Sequence, residues 1–543
     1  MELAYVILII LAVIYVPIWV WVWRCPEKAE RYHLCKYGPC VMIKTQLGMR
    51  TMDRLARYPR FWRAFGFASK VISAVLFLMM MYMLIVAILA VPGRMASGSS
   101  IGIEYALAIP GFNPILPLSY GIVALVIAMV VHELGHGIQA RANGARVDSS
   151  GLLYGVVPLG AFVEPNEEDM AGKSRRAQMD MYTAGIAVNT VVAILCLGLL
   201  IGACGAISSD YEDDAGVYYI DGGSPAYEAG IPTSAIITGI MDADAVDESW
   251  DDGRIVSEAT PVDATVSGSQ VYLDTGGSLD PLKWYYVVYQ SSDGTHVTDV
   301  PIQMGAYVRT ISVDSPASEA DIEIGSFIRS ITLDDGRYGQ FGSMGEFSEF
   351  MSTTSSGQTA TIEIVRVGTY GEDPKSLTTT CEVVLSDGGG KGYLGLSAST
   401  SGMTFTTPGI MLDSASNPFY GADSAVSYVT SFLGYLSGPF SGADPVPDDV
   451  KWWYNVPMGD LFWVILSLLY WIFWLDILLA ISNALPAYPF DGGFIFAGGV
   501  NWLCERLGVR DEERRKKLTD SVAGSVSTVV LFMFMAVVLS FLM

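Results

Sequence analysis

The sequence predicts a polytopic α-helical membrane protein with about six transmembrane helices and one inserted, mainly-β region outside the membrane. Two observations support this fold class. First, 51% of the 543 residues are hydrophobic, and several apolar runs are long enough to cross about 30 Å of hydrocarbon. Second, residues 208–450 carry 36 acidic and 8 basic residues, a net charge of −28, although the whole chain carries only −24. A solvated acidic region therefore interrupts hydrophobic segments that are slightly basic.

The apolar runs define six candidate spans. We interpret the first as a retained span rather than a cleaved signal peptide, because its start lacks basic residues and no small-x-small cleavage site follows it. The six predicted spans are Leu3–Trp23, Val71–Val91, Leu118–Ile138, Tyr182–Ala206, Leu461–Ser482 and Val522–Met543.

Lysine and arginine are concentrated in three loops, residues 24–63, 139–181 and 493–520. Cytoplasmic loops of membrane proteins carry an excess of these residues, so six spans with the N-terminus outside put all three loops in the cytoplasm. The acidic insert then lies outside. Its charge argues against nucleic acid as a partner, since phosphate binding needs a basic face. The acidic charge of the exterior insert and the sparse cysteines together indicate a prokaryotic cell membrane.

The seven cysteines do not form a disulfide framework. Cys25, Cys35 and Cys40 cluster near His33 in a basic loop, where a zinc site is one interpretation. Their spacing is loose, however, and favours ordinary reduced thiols.

The segment VVHELGHGIQAR, residues 130–141, places two histidines four residues apart at the end of the third apolar run. In a helix this spacing puts both on one face, so His132 and His136 can bind one Zn²⁺. Glu133 then lies beside the open position of the metal, where it can deprotonate an attacking water. A buried polar network without a metal is the alternative, but three ionisable groups within five residues are costly at membrane depth. The pattern therefore predicts a hydrolytic zinc site.

A catalytic zinc needs a third protein ligand, and the sequence offers two sources. One is a glutamate of EPNEED (Glu164, Glu167 or Glu168), as in soluble peptidases with the same motif. The other is Asp491 in NALPAYPFDGG, which follows the fifth span. That span runs from outside to inside, so its end reaches the depth of HELGH. EPNEED instead lies in a basic loop and lacks a clear helix, so topology favours Asp491.

Three motifs, taken in order, resemble those of the site-2 protease family of intramembrane zinc metalloproteases. The first is HELGH, and the second is AGIAVN, which contains Gly185 and Asn189. The third is N-x-x-P-x-x-P-x-D-G, which begins at Asn483 and contains Asp491. The resemblance covers roughly spans three to five, and it matches the first two spans and the acidic insert only loosely.

This resemblance implies a role for each site residue. Asn189 and Asn483 would hold the substrate backbone or steady the oxyanion, although interhelical packing is the alternative for both. The substrate would be a transmembrane helix of another protein, cut within the lipid bilayer near its cytoplasmic side after a first protease has removed its outer part. The implied zinc ligands are His132, His136 and Asp491. The implied general base is Glu133.

The stretch GLLYGVVPLGAFVEP, residues 151–165, is apolar but broken by glycine and proline. It is too short for a spanning helix and resembles the membrane-inserted β hairpin of the family. An exposed strand edge there can pair with an unwound substrate helix. A loop on the membrane surface is the alternative.

The acidic insert repeats itself. GGSPAYEAGIPTSAIITGIMD, residues 222–242, aligns with VDSPASEADIEIGSFIRSITLDD, residues 313–335, and both resemble the PDZ-domain pattern. We therefore predict two PDZ-like domains, 208–305 and 306–400, that either bind peptides or act as a passive size filter. Residues 401–457 resemble an amphipathic linker lying along the membrane.

The remaining predicted regions belong to the membrane part. Residues 1–117 hold two spans and the basic loop, 118–207 hold the first half of the protease core, and 458–543 hold its second half and the last span. The predicted function is intramembrane zinc endopeptidase. A non-catalytic adaptor with a structural metal is the main rival, although a purely structural zinc does not need Glu133. A transporter is a weaker rival, because the spans show no inverted repeat.

Overall fold

The computed structural model of the protein describes residues 2–38, 40–92, 113, 116–156, 158–267, 270–275, 279–370, 377–441 and 445–540. The chain divides into two compact units. The first comprises Met1–Ala203, Leu436–Asp444 and Met458–Met543, and the second comprises Cys204–Tyr435 and Pro445–Pro457.

Helices dominate the first unit and are short in the second. In chain order, the α-helices of the described residues are α1 (Glu2–Arg24), α2 (Pro26–Glu30), α3 (Met49–Leu55), α4 (Pro59–Leu89), α5 (Leu118–Ala142), α6 (Glu167–Ala171), α7 (Arg175–Tyr182), α8 (Ala184–Cys204), α9 (Pro225–Glu228), α10 (Asp252–Glu258), α11 (Pro316–Glu319), α12 (Met344–Ser352), α13 (Pro408–Ser416), α14 (Ala425–Ser437), α15 (Asp460–Asn483), α16 (Asp491–Arg506) and α17 (Glu512–Ser540).

Several helices are long and apolar enough to cross a membrane, as the sequence predicts. The first predicted span lies in α1 (Glu2–Arg24), and the count of six spans stays a prediction. Residues 541–543 of the sixth predicted span lie outside the described residues. The helices of the described part that meet the length and hydropathy criteria are Pro59–Pro92, Leu118–Ala142, Ala184–Cys204, Asp460–Asn483 and Glu512–Ser540.

The strands separate into a small sheet in the first unit and a large sheet, with one short hairpin, in the second. In chain order they are β1 (Leu34–Tyr37), β2 (Cys40–Thr45), β3 (Val147–Tyr154), β4 (Pro158–Pro165), β5 (Ala215–Ile220), β6 (Ile236–Asp242), β7 (Thr260–Pro261), β8 (Asp263–Ser267), β9 (Gln270–Asp274), β10 (Trp284–Ser291), β11 (Gly294–Val297), β12 (Ile302–Gln303), β13 (Ala306–Ile311), β14 (Ser326–Leu333), β15 (Tyr338–Gln340), β16 (Thr359–Arg366), β17 (Thr378–Val384), β18 (Ser386–Asp387), β19 (Gly392–Tyr393), β20 (Leu396–Thr400) and β21 (Met403–Thr406).

The small sheet contains the hairpin predicted at 151–165. Its order is β1-β2-β3-β4, and every neighbouring pair is antiparallel. An antiparallel hairpin, β3–β4, is therefore present there, apart from Val157, which lies outside the described residues, and its insertion into the membrane stays a prediction. Sequence reasoning missed β1 and β2, which come from the cysteine-containing basic loop and pair with β3. In this order β4 is the edge strand, with no further strand beside it among the described residues.

The large sheet belongs to the second unit and follows the order β11-β10-β6-β5-β21-β20-β13-β14-β16-β17. Two large hydrophobic clusters of the described residues pack against it. Ile237, Val287 and Met304 lie in the first cluster, and Ile331 and Ile362 lie in the second. A mainly-β region is thus inserted between membrane helices, whereas its PDZ-like identity stays a prediction.

The sequence repeat corresponds to the same local structure in each half of the insert. Ser224 caps α9 by accepting a hydrogen bond from the Tyr227 amide at 3.3 Å, and Ser315 caps α11 by accepting one from the Ser318 amide at 3.3 Å. Serine followed by proline is a favourable helix start, because the hydroxyl satisfies a free N–H and proline suits the first turn. The S-P-A motif therefore encodes a helix start twice.

Candidate metal centre

The two histidines of HELGH lie one turn apart on α5, as the sequence predicts. Both are buried, and their ring centroids are 4.8 Å apart. The Nε2 atoms of His132 and His136 approach to 3.2 Å. The Nε2 atoms of the two imidazoles therefore face the same point within the first unit.

Asp491, the first residue of α16, brings a carboxylate to the same place. Its Oδ2 atom lies 3.2 Å from His132 Nε2 and 3.1 Å from His136 Nε2. This oxygen is buried and makes no hydrogen bond within the described part of the chain. Ligands about 2.0–2.1 Å from a tetrahedral zinc ion lie about 3.3 Å from each other. The donor set and its spacing therefore fit one Zn²⁺.

The irregular segment after α15 carries Asp491 to this position. The helix ends at Asn483, and the chain turns through 484–490 before α16 begins. Gly492 follows immediately, and a Cβ atom there would lie 2.5 Å from the carbonyl carbon of Ala484. Leu485 packs in a hydrophobic cluster shared with α4 and α17. The prolines prevent a regular helix, and the glycine permits the tight turn that returns the chain to the histidines.

Gly185, near the start of α8, lies against both imidazoles. A Cβ atom at this position would overlap His136 Nε2 and lie 2.7 Å from Cε1 of His132. Real side chains do not tolerate such distances, so glycine is the residue that fits. Sequence reasoning named Gly185 as part of a motif but did not identify this packing role.

Glu133 lies beside the two histidines. Its ligand oxygen and the ligand nitrogens of His132 and His136 lie within 4.8 Å of one another. The Glu133 Oε2 atom accepts a hydrogen bond from the backbone amide of Val163 in β4 at 2.9 Å. The edge strand of the small sheet thus holds this carboxylate.

The ring of His136 is oriented by a backbone carbonyl. Its Nδ1 atom lies 2.8 Å from the Met181 oxygen. Because a carbonyl can only accept, Nδ1 carries the proton and Nε2 keeps its lone pair for a metal. In the described residues Nδ1 of His132 has no hydrogen-bond partner. Sequence reasoning missed Met181, because a main-chain acceptor leaves no side-chain signal.

The two predicted substrate-binding asparagines have different surroundings. Asn189 is fully buried in α8, and neither of its amide atoms has a hydrogen-bond partner among the described residues. Asn483 is half-buried at the end of α15, and its Nδ2 atom donates to the Leu479 carbonyl at 3.0 Å. Asn189 therefore retains unused hydrogen-bonding capacity, whereas Asn483 uses one donor within its own helix.

The rival glutamates of EPNEED have other contacts. Both carboxylate oxygens of Glu164 lie 2.8 Å from Lys44 Nζ, and Ser149 also donates to one of them. Burial alone would raise the pKa of Glu164, but these hydrogen bonds lower it below its usual value. Glu167 and Glu168 lie in α6, a helix that we did not predict, which is capped by Asn166.

The cysteine cluster forms no metal site in the described part of the chain. Cys25, Cys35 and Cys40 are free thiols, and Cys35 and Cys40 lie in the β1–β2 hairpin. The group of possible ligands that the described residues do bring together is His132, Glu133 and His136.

One of the helices long and apolar enough to cross a membrane, α5, thus carries a His–Glu–His cluster in which both histidines are buried and Glu133 is half-buried. The sequence profile of Peptidase family M50 matches residues 120–540, and the chain belongs to this family, the site-2 proteases. The chain is also similar to an uncharacterized protein of Methanocaldococcus jannaschii, with 29% identity over 194 residues. That alignment covers 35% of this chain and 50% of the relative, so the chain spans about half the length of the curated relative it matches.

Proposed function

We propose that this protein is a zinc endopeptidase that cleaves transmembrane helices of other membrane proteins inside the lipid bilayer. His132, His136 and Asp491 would bind Zn²⁺, and Glu133 would be the general base. The strongest support is the approach of Asp491 Oδ2 to both Nε2 atoms at 3.1 and 3.2 Å. Two imidazoles and one carboxylate suit zinc and leave a fourth position open.

Zn²⁺, when bound, supplies Lewis-acid polarisation of a carbonyl and acidifies water. Glu133 takes the proton from the attacking water and later passes it to the leaving amine. The Val163 amide, 2.9 Å from Glu133 Oε2, keeps the carboxylate from rotating away from this position. One oxygen of Glu133 is thus anchored, and the other stays available for proton transfer.

Peptide bonds in a helix are shielded by their own hydrogen bonds, so a substrate helix must unwind before it is cut. We propose that the free edge of β4 pairs with the unwound segment. Asn483 and Asn189 would bind its backbone or the developing oxyanion. The unused amide atoms of Asn189 support this role in particular.

The proposed setting is a prokaryotic cell membrane, with the acidic insert outside and the metal centre near the cytoplasmic side. This orientation is supported by the basic loops 24–63, 139–181 and 493–520. We further propose that the two halves of the insert are PDZ-like domains that screen which substrates approach.

A cleavage assay in liposomes tests the proposed function. The full chain is reconstituted with a reporter transmembrane substrate, and Glu133→Gln and Asp491→Asn are compared with wild type. Glu168→Gln is the matched control, because it removes a carboxylate from α6. We expect Glu133→Gln to lower the rate by about 10²–10⁴-fold with zinc retained. Asp491→Asn should lose both zinc and activity, and the control should keep both.

Two outcomes contradict this assignment in different ways. Equal cleavage by all four proteins would favour the non-catalytic adaptor. Loss of zinc in Glu168→Gln, with zinc kept in Asp491→Asn, would transfer the third ligand to EPNEED.

A further inference from the structure

Three helices meet beside His136, and a buried amide joins two of them. Gln139 lies on α5, three residues after His136, and is fully buried. Its Nε2 atom donates to the Trp62 carbonyl of α4 at 3.1 Å. The end of α5 that carries the metal centre is thereby tied to α4.

The third helix, α7, is tied to α4 by an ion pair whose carboxylate is buried. Asp180 of α7 is 1% exposed, and its Oδ1 atom pairs with Lys70 Nζ of α4. Gly66 precedes Lys70 by four residues and so lies on the same face of α4. A Cβ atom at Gly66 would come 2.5 Å from Asp180 Cγ. Gly66 therefore leaves room for the Asp180 carboxylate beside α4, and Lys70 pairs with that carboxylate.

The residue after Asp180 contacts the metal centre. Met181 offers its carbonyl to His136 Nδ1 at 2.8 Å. The position of this carbonyl depends on the position of α7, because it belongs to the helix backbone. Any shift of α7 along α4 would therefore move the hydrogen bond that orients the His136 ring.

We propose that Asp180 is a positioning residue for the metal ligand His136 and that its ion pair with Lys70 keeps the Met181 carbonyl in place. This inference rests on the proposed function, since it requires His136 to bind the metal. The coupling passes from Lys70 to Asp180, along one peptide unit to Met181, and on to the imidazole. Groups that orient a metal-bound histidine in this way typically change metal affinity by about 10–100-fold when removed.

The two partners of the pair differ in what their loss leaves behind. The Lys70 side chain is 30% exposed and can reach solvent when Asp180 is neutralised. Asp180 is buried, and Arg176 is its other cationic neighbour at 3.7 Å. Removing Lys70 thus leaves the buried Asp180 carboxylate without its closest counter-ion, which is strongly destabilising. Asp180→Asn is therefore the cleaner variant for testing the positioning role.

Metal affinity of the full chain in detergent tests the proposal without an activity assay. Zn²⁺ binding is measured by chelator competition, and the ligand geometry by the absorption bands of bound Co²⁺. We expect Asp180→Asn to weaken Zn²⁺ binding by about 10–100-fold and to alter the Co²⁺ bands. Lys70→Arg keeps the ion pair and should retain the wild-type affinity and spectrum.

Glu505→Gln is the matched control. It removes the surface ion-pair partner of Arg175, which lies on α7 as Asp180 does. This variant should bind both metals as wild type does. If Asp180→Asn does not fold, Gly66→Ala serves in its place, since alanine favours the helix but its methyl group displaces the Asp180 carboxylate and also crowds Gln139 Nε2. It should also weaken Zn²⁺ binding.

A folded Asp180→Asn protein with wild-type Zn²⁺ affinity and Co²⁺ spectrum would overturn the proposal, even if its melting temperature fell. Failure of the wild-type protein to bind Zn²⁺ would overturn the proposed function as well. The two failures are therefore distinguished by the wild-type titration.

Discussion

At the scale of single residues, Gly185 determines how closely α8 approaches the two imidazoles. The position has no room for a Cβ atom, which would overlap His136 Nε2 and crowd His132. The neighbouring backbone is helical, so the glycine is not needed for an unusual φ angle. Its role is to let a helix backbone lie directly against the proposed zinc ligands.

We predict that Gly185→Ala weakens Zn²⁺ binding by at least about tenfold, because the added methyl group displaces the imidazoles from the ligand geometry. Gly198→Ala is the control, since it lies on the same helix and a Cβ atom there would meet nothing within 4 Å. Chelator competition on both variants measures the difference. Equal zinc affinities for the two variants would contradict this account.

At the scale of secondary-structure elements, β4 connects the small sheet to the proposed general base. The backbone N–H of Val163 donates a hydrogen bond to Glu133 and therefore points away from β3. A strand edge thus has two uses at the same site, since the same edge is proposed to pair with substrate. Pro165 lies two residues after Val163 on the same strand. Because proline has no backbone N–H, the row of hydrogen-bond donors along this edge ends there.

We predict that Val163→Pro lowers the cleavage rate by about 10²-fold, because it removes the N–H that holds Glu133. Proline is tolerated on an edge strand, and the zinc ligands are untouched, so Zn²⁺ affinity should stay at the wild-type value. Val163→Ala keeps the amide and should keep the activity. The liposome assay and the chelator titration together check both expectations. Wild-type cleavage by Val163→Pro would show that this hydrogen bond is unimportant.

At the scale of the whole molecule, charge is distributed very unevenly. Residues 208–450 carry a net charge of −28, and the rest of the chain is slightly basic. Like charges repel within a compact domain and lower its stability. Salt screens this repulsion over a Debye length of about 30 Å at 0.01 M and about 3 Å at 1 M.

We predict that the melting temperature of the insert, followed by circular dichroism of the full chain, rises between 0.01 M and 1 M KCl. The expected rise is about 2–4 °C for each kcal/mol of repulsion removed. An uncharged osmolyte at the same osmolality controls for solvent effects and should give a smaller rise. A melting temperature that falls with salt would mean that ion pairs outweigh the repulsion.

The sequence by itself determined the class of membrane protein, the site of the acidic insert and the histidine pair. Long apolar runs, segregated charge and a four-residue spacing are local patterns, and each has a physical meaning before the chain folds. The S-P-A repeat was readable for the same reason, because a helix cap is a contact between residues three apart. Topology also favoured Asp491 over the EPNEED glutamates.

Tertiary structure alone decided which backbone groups meet the site, and it brought the Asp491 carboxylate within 3.2 Å of both histidines. The Asp491 carboxylate and the Met181 carbonyl approach the histidines, and the Val163 amide binds Glu133 beside them, each from a different segment. Two of these three groups belong to the backbone and are carried by every residue except for the missing N–H of proline, so the identity of Val163 or Met181 gives no sign of its role. The absence of space for a side chain at Gly185 likewise follows from how α8 packs on α5. Such packing depends on all the helices at once, which is why local patterns could not predict it.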